Sequence, residues 1–238
     1  MVKAISIFTA ISLILLLNCQ QSPTPIITAP IKEAKIVVAT ITSEEPAIIV
    51  VEAPCPEDMI YIEKSHYCID KYEAPNQEGA YPFYAQTAFQ AISYCRSVGK
   101  ELCTQNRWQT ACVGPQHKTY PYGNFYKRGT CNDNKYGWVK VPWLTMGTPA
   151  WLQWCKQQYK GDPSGSHPAC VSDYGVYDMT GNVAEWAREP NSPYGYVTKG
   201  GYWYGVLQGT PTCGFVNPAH SAGFNSYEFG FRCCEVAK

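Results

Sequence analysis

The chain has 238 residues, with 19 acidic and 19 basic side chains, a formal net charge of zero and no run of lysine or arginine. That balance argues against nucleic acid as a partner, because such binding rests on clustered positive charge. About 180 residues follow residue 55, enough for one domain with a real core and too few for two. Their richness in Tyr, Trp, Gly and Pro predicts a loop-heavy α+β fold held by cross-links.

Lys3 precedes an apolar run from Ile5 to Leu17, which closes on Leu16-Leu17-Asn18-Cys19. A run of about 13 residues is short of the roughly 20 that a membrane-spanning helix needs, and basic, apolar, cysteine is the order of a lipoprotein signal peptide. The expectation is a signal peptide over 1–18 and a mature chain that begins at a lipidated Cys19. Leu17-Asn18 departs from the small residue preferred before such a cysteine, so ordinary secretion stands as the alternative. Either way the domain leaves the cytoplasm, and the expected place is the cell envelope, on a membrane through the N-terminal lipid. Residues 19–54 carry Pro23, Pro25, Pro30, Pro46 and Pro54 and no aromatic residue. They read as a tether, because such a segment buries too little surface to fold alone. The β-branched runs Ile36-Val37-Val38 and Ile48-Ile49-Val50-Val51 leave open an added edge strand.

Eleven of the twelve cysteines follow Cys19. An exported chain of this density pairs them as disulfides, and the odd number leaves at least one thiol over, for which Cys155 is the candidate. No CxxC occurs, and His66, His117, His167 and His220 are scattered, so zinc has no ligand spacing to rest on. Thr87-Ala88-Phe89-Gln90 fits a capping box. It opens a helix predicted over 88–98, with Ala88, Ile92, Cys95 and Val98 on one face and Gly99 at its end. Thr104 caps a second helix, with Trp108, Ala111 and Cys112 inward and Gly114 at its C-terminus. From 115 onward the turn signals Tyr122-Gly123-Asn124, Gly161-Asp162-Pro163-Ser164-Gly165 and Asn191-Ser192-Pro193 predict short strands and irregular loops.

Three motifs then occur in order: Tyr174-Gly175-Val176-Tyr177-Asp178-Met179-Thr180-Gly181-Asn182-Val183-Ala184-Glu185-Trp186, Lys199-Gly200-Gly201, and Phe229-Gly230-Phe231-Arg232-Cys233. With the upstream stretch from Ser93 to Cys112, they resemble the formylglycine-generating enzyme family, the sulfatase-modifying factors, over about residues 55–235. The resemblance implies a single α+β domain over 55–238, related to C-type lectins and low in regular secondary structure. Asp178 and Glu185 flank the tight turn Gly181-Asn182, where carboxylates and carbonyls can together meet the six to eight oxygens calcium takes. On the residues alone, a hydrogen-bonded turn explains the pattern better. The resemblance favours a structural calcium held by the side chains of Asp178 and Glu185 and the carbonyls of Gly181 and Val183. A second family calcium site falls near Asn132-Asp133, with only its first half recognisable.

The family's reaction oxidises a substrate cysteine to formylglycine with oxygen, at two cysteines that hold copper. Soft Cu(I) calls for such thiolates. Aligned at Gly200-Gly201, the family serine falls on Tyr202 and the two cysteines on Gly205 and Thr210, so the resemblance implies that no residue here is catalytic in that way. Ala184 stands where the family turn has tryptophan. Related sulfoxide synthases use iron at His-x-x-x-His-x-Glu, a spacing absent here. The expectation is therefore a binding or structural envelope protein with an unknown protein, peptide or sugar ligand. Tyr202, Trp203 and Tyr204 line its groove or, equally, pack its core. The alternative is an oxidoreductase of the family with a non-standard site, using Cys155 or Cys213. For the disulfides, the family joins the positions matching the two helices to its C-terminal segment, which implies Cys95 with Cys233 and Cys112 with Cys213. Cys103 and Cys234, extra beside these, are expected to pair, as are Cys131 with Cys170 and Cys55 with Cys68.

Overall fold

The computed structural model describes residues 53–135, 140–204 and 211–238. Lipidation at Cys19, the tether up to residue 52 with its possible edge strand, and Gly205 and Thr210 lie outside the described residues. The element order is β1 (Met59–Ile62), β2 (Tyr67–Asp70), α1 (Ala88–Ser97), β3 (Glu101–Leu102), α2 (Gln105–Val113), α3 (Pro149–Gln158), β4 (Ala184–Arg188), β5 (Tyr196–Lys199), β6 (Val216–Asn217), β7 (Phe229–Phe231) and β8 (Cys233–Val236). Short 3-10 turns at Glu63–Ser65 and Trp143–Thr145 complete it. This is a small α+β fold with short elements and five disulfides.

The strands form two four-stranded sheets, ordered β1-β2-β8-β3 and β6-β5-β4-β7. In the first, Met59 pairs with Asp70, Ile69 with Cys234 and Leu102 with Cys233, all antiparallel. In the second, β4 runs antiparallel to β5 and parallel to β7, with Glu185 opposite both Lys199 and Gly230. β7 ends at Phe231 and β8 begins at Cys233, so Arg232 alone links these strands of the two sheets.

α1 begins at a capping box, Thr87 Oγ1 accepting from Gln90 N while Gln90 Oε1 accepts from Thr87 N. Its inward face is Ala88, Ala91 and Cys95; Val98 lies just past the helix end and is 48% exposed, outside the buried face expected for it. α2 starts at Thr104 and stops at Gly114, as expected. α3 falls in a stretch where the sequence predicted only strands and loops. Thr148 caps it, Pro149 occupies its first turn, and Trp151 and Cys155 are buried on one face. Pro directly after a capping Thr is a helix start, and that signal was present at 148–149. The core divides into a cluster of α1 with the second sheet, a cluster under α2 around Trp108, and a smaller one of Ala85, Trp151 and Cys155.

The five bonds join Cys55 to Cys68, Cys95 to Cys233, Cys103 to Cys234, Cys112 to Cys213 and Cys131 to Cys170. Cys95–Cys233 and Cys112–Cys213 are the pairs the resemblance implied, the other three are the pairs expected of the remaining cysteines, and Cys155 is free and buried. No helix among the described residues is long and apolar enough to cross a membrane.

Candidate functional site

The turn from Asp178 to Glu185 is buried throughout. Gly181 has φ +81, and a Cβ there would stand 2.5 Å from the Asn132 carbonyl oxygen, so this approach requires glycine. Asn182 is also left-handed, at φ +52. Its side chain is the hub of a polar network: the amide nitrogen donates to Glu73 Oε2 at 2.8 Å, and the oxygen accepts from Asn132 Nδ2 at 2.9 Å and from Asp162 N at 2.8 Å. Glu73 further accepts from Ser164 Oγ and from Val183 N. At the other end of the motif, Gly200 has φ +77, and a Cβ would meet Met179 O at 2.7 Å and the Trp108 ring at 3.1 Å. The Lys199-Gly200-Gly201 motif thus packs its backbone against the turn.

Three buried acids, Glu73, Asp178 and Glu185, share this region with one fully buried arginine. Arg232 Nε donates to Glu185 Oε2 and Nη2 to Oε1, both at 2.7 Å, and Nη2 also donates to the Tyr177 carbonyl at 2.9 Å. Trp108 Nε1 donates to Glu185 Oε2 at 2.8 Å. Burial alone would lower the pKa of Arg232; Glu185, Glu73 and Asp178 outweigh it and raise it. Burial pushes Glu73 well above the usual carboxylate range, helped by the charges of Asp178 and Glu185. Burial also lifts Asp178 to about 6, against the hydrogen bond from Gly165 N at 2.7 Å and the nearby Arg232. Lys199, directly across the β4–β5 ladder from Glu185, is buried with its ammonium 5.2 Å from the centre of the Trp108 ring, and burial lowers it to about 8.

This arrangement fits calcium in part. A carboxylate offers about four acceptor positions, and on Glu185 three go to the two Arg232 contacts and Trp108. Glu185 is therefore first the partner of Arg232, and the expectation of a side chain open to calcium changes at this residue: a guanidinium already balances it. Asp178 and the turn carbonyls, beside Glu73, are the remaining oxygen donors, and a divalent cation there would displace the proton that burial favours on Glu73. Among the described residues no three His, Cys, Asp or Glu side chains converge as a metal cluster. Asn132 is tied to Asn182, while Asp133 has one buried carboxylate oxygen without a partner.

The expected aromatic groove is packed as core. Tyr202, Trp203 and Tyr204 are 7%, 3% and 9% exposed. Trp203 meets Tyr159 edge-on at 5.0 Å and Tyr202 meets Tyr227 at 6.2 Å, so the ring faces are used inside the fold. His167 bonds to Asp162 and His220 stacks on Phe224, each with its own partner. Cys213 is in a disulfide, and burial drives the Cys155 thiol up to about 12, away from thiolate chemistry. Sequence reasoning missed Arg232, Glu73 and Lys199. The first and last were quoted only as motif residues, and nothing local marks any of the three as buried.

A family model described as the sulfatase-modifying factor enzyme 1-like domain matches residues 56–237. The chain belongs to this family. Among curated proteins it is 28% identical over 158 residues to the inactive C-alpha-formylglycine-generating enzyme 2 of Mus musculus, covering 62% of this chain and 46% of that protein. It is also 28% identical over 178 residues to the serine/threonine-protein kinase pkn1 of Chlamydia caviae, covering 66% of this chain and 24% of the kinase. The chain thus spans about a quarter to a half of these relatives. Among solved structures, Treponema denticola variable protein 1 superposes with a TM-score of 0.52 at 16% identity, covering 78% of this chain and 93% of that one. That likeness is one of fold.

Proposed function

We propose that the chain is an exported, lipid-anchored sulfatase-modifying-factor-like domain that has kept the family scaffold without its copper chemistry and serves as a binding or structural protein of the cell envelope. The cysteine inventory carries this reading. Ten of the eleven cysteines after Cys19 are joined in disulfides and the eleventh, Cys155, is buried. No two thiols of the domain are left to share a Cu(I) ion, and the positions aligned with the family's copper cysteines are Gly205 and Thr210. A domain with ten of its eleven cysteines in disulfides also suits an oxidising compartment. The mouse relative is inactive by its name.

Calcium belongs to this reading as a structural ion on Asp178 and the carbonyls of Gly181 and Val183, with Glu185 lending the acceptor position that Arg232 and Trp108 leave. The gathering of Glu73, Asp178 and Glu185 around one turn supports it. The deciding experiment incubates purified protein, with copper and oxygen, with a peptide bearing the sulfatase-type cysteine. The expected result is no formylglycine above a protein-free control; conversion would overturn the reading in favour of an oxidoreductase with a non-standard site. On the same preparation, mass spectrometry should find an acylated N-terminal Cys19, and melting should rise in calcium relative to chelator.

A further inference from the structure

A cleft of about 240 Å³ opens where the two sheets meet, lined by Ile92 and Arg96 of α1, Glu101 and Leu102 of β3, Arg188 at the end of β4 and Tyr196 at the start of β5. The seam is fixed by the backbone, since Arg188 N donates to Cys103 O at 2.9 Å and residue 188 bridges to Thr104. Arg188 faces Tyr196 directly across the β4–β5 ladder, so their side chains share one face of the sheet. Ile92 and Arg96, four residues apart on α1, lie on one helix face. Two cations and a phenol therefore stand over a floor that contains buried Leu102 and half-buried Ile92.

The chain has five arginines. Arg232 is held by Glu185, Arg107 by Glu101, and Arg128 by Asn134. Among the described residues, Arg96 and Arg188 have no ion-pair or hydrogen-bond partner for their guanidinium groups. These two, and no other described arginine, line this one cleft. Its only acid, Glu101, is engaged by Arg107 and does not neutralise them.

We propose that the cleft is a binding site for a doubly charged tetrahedral oxyanion, phosphate or sulfate, free or as the ester of a small ligand. Each guanidinium offers a planar fork matched to two oxygens of such an anion. Two positive charges pair with a dianion, and the Tyr196 hydroxyl is placed to supply a further donor. The volume lies below the roughly 300 to 1,000 Å³ of sites for drug-sized ligands, which fits a group of phosphate size with few attached atoms.

The test is calorimetric titration of the full disulfide-bonded chain, at fixed ionic strength, with inorganic phosphate, sulfate, glycerol phosphate and acetate. Saturable binding of the tetrahedral anions and weaker binding of acetate are expected. Arg96→Gln and Arg188→Gln should each weaken phosphate about tenfold, and the double variant should abolish it with an unchanged melting curve. Lys64→Gln, which removes an exposed charge elsewhere, should leave binding within about twofold. Glycerol phosphate binding tighter than phosphate would assign the site to an ester, and the reverse order to the free anion; both sustain the proposal. Absence of saturable binding, acetate binding as tightly as phosphate, or equal loss in Lys64→Gln would overturn it.

Discussion

Four of the five disulfides end on the sheet β1-β2-β8-β3 or on α2 packed against it, whereas α3 carries none and its cysteine is free. The strands of that sheet have two to four residues, too few ladder bonds to fix them alone, and the chain supplies covalent links instead. α3 is fixed by rings. Trp151 stacks on Trp154 at 5.1 Å, Trp154 meets Tyr227 edge-on at 5.3 Å, and Trp151 Nε1 donates to Asn225 at 2.8 Å. The first sheet with α2 therefore depends on the redox state of its surroundings, and α3 on ring packing and hydrogen bonds.

Reduction should break the comparison most forcefully. The bonds Cys95–Cys233, Cys103–Cys234 and Cys112–Cys213 span 138, 131 and 101 residues, and a loop of about 100 residues is worth about 4.7 kcal/mol in the chain-entropy treatment. Together they exceed the usual 5–15 kcal/mol stability of a domain at its lower end, so the reduced protein should lose its near-ultraviolet circular dichroism. A reduced chain that keeps that spectrum would show that packing holds the sheets after all.

Next in size stands Arg232→Met. It leaves Glu185 buried and unpaired, at a cost of about 3–5 kcal/mol, read as a lower urea midpoint. Adding Glu185→Gln should recover part of that loss, because the stranded charge is gone; no recovery would mean that Arg232 acts through its carbonyl contacts instead. Trp151→Ala should cost about 3–5 kcal/mol as a core truncation. The sharper readout is hydrogen exchange, with protection expected to fall in 149–158 while β2 and β8 keep theirs. Equal loss in both would mean that the two halves unfold as one.

The smallest effect is a pH dependence on the α3 side. Glu228, beside Tyr227, has its pKa raised from 4.5 to about 7 by burial. Between those values the unfolded chain has released the proton and the folded one retains it, so stability falls as pH rises through that window, by at most about 3 kcal/mol. Thermal melts from pH 4.5 to 7.5 should show this decline, and Glu228→Gln should make it shallower, leaving the part that Asp178 and Glu73 contribute. A Gln variant with the same slope as the wild type would assign the decline to another group.

Much of the first half was legible because its signals are local. Thr87 with Gln90, Thr104 and Gly114 mark helix ends through bonds that reach three or four residues, and the structure has both helices within one residue of expectation at the ends they set. α3 was overlooked because the turn signals from 115 onward predicted only short strands and loops, although Thr148-Pro149 is a helix start. The candidate site was legible only in outline. Asp178 and Glu185 were visible as a carboxylate pair, but the partner of Glu185 lies 47 residues away, and Glu73 reaches Asn182 from 109 residues upstream. Tyr202, Trp203 and Tyr204 illustrate the same limit: an aromatic triplet is equally a groove and a core until the facing rings of Tyr159 and Tyr227 are in place.

By itself, the sequence determined the family, the α+β class, the two disulfides implied by that family and the absence of cysteine at the aligned copper positions, because each rests on residue identity and order. Tertiary structure decided the rest. It placed Arg232 at the link between β7 and β8, where its charge belongs to Glu185, and set Arg96 and Arg188 beside one cleft whose single acid, Glu101, is paired with Arg107. Charges act over a few ångströms of space rather than along the chain, and only the folded chain brings those distances into being.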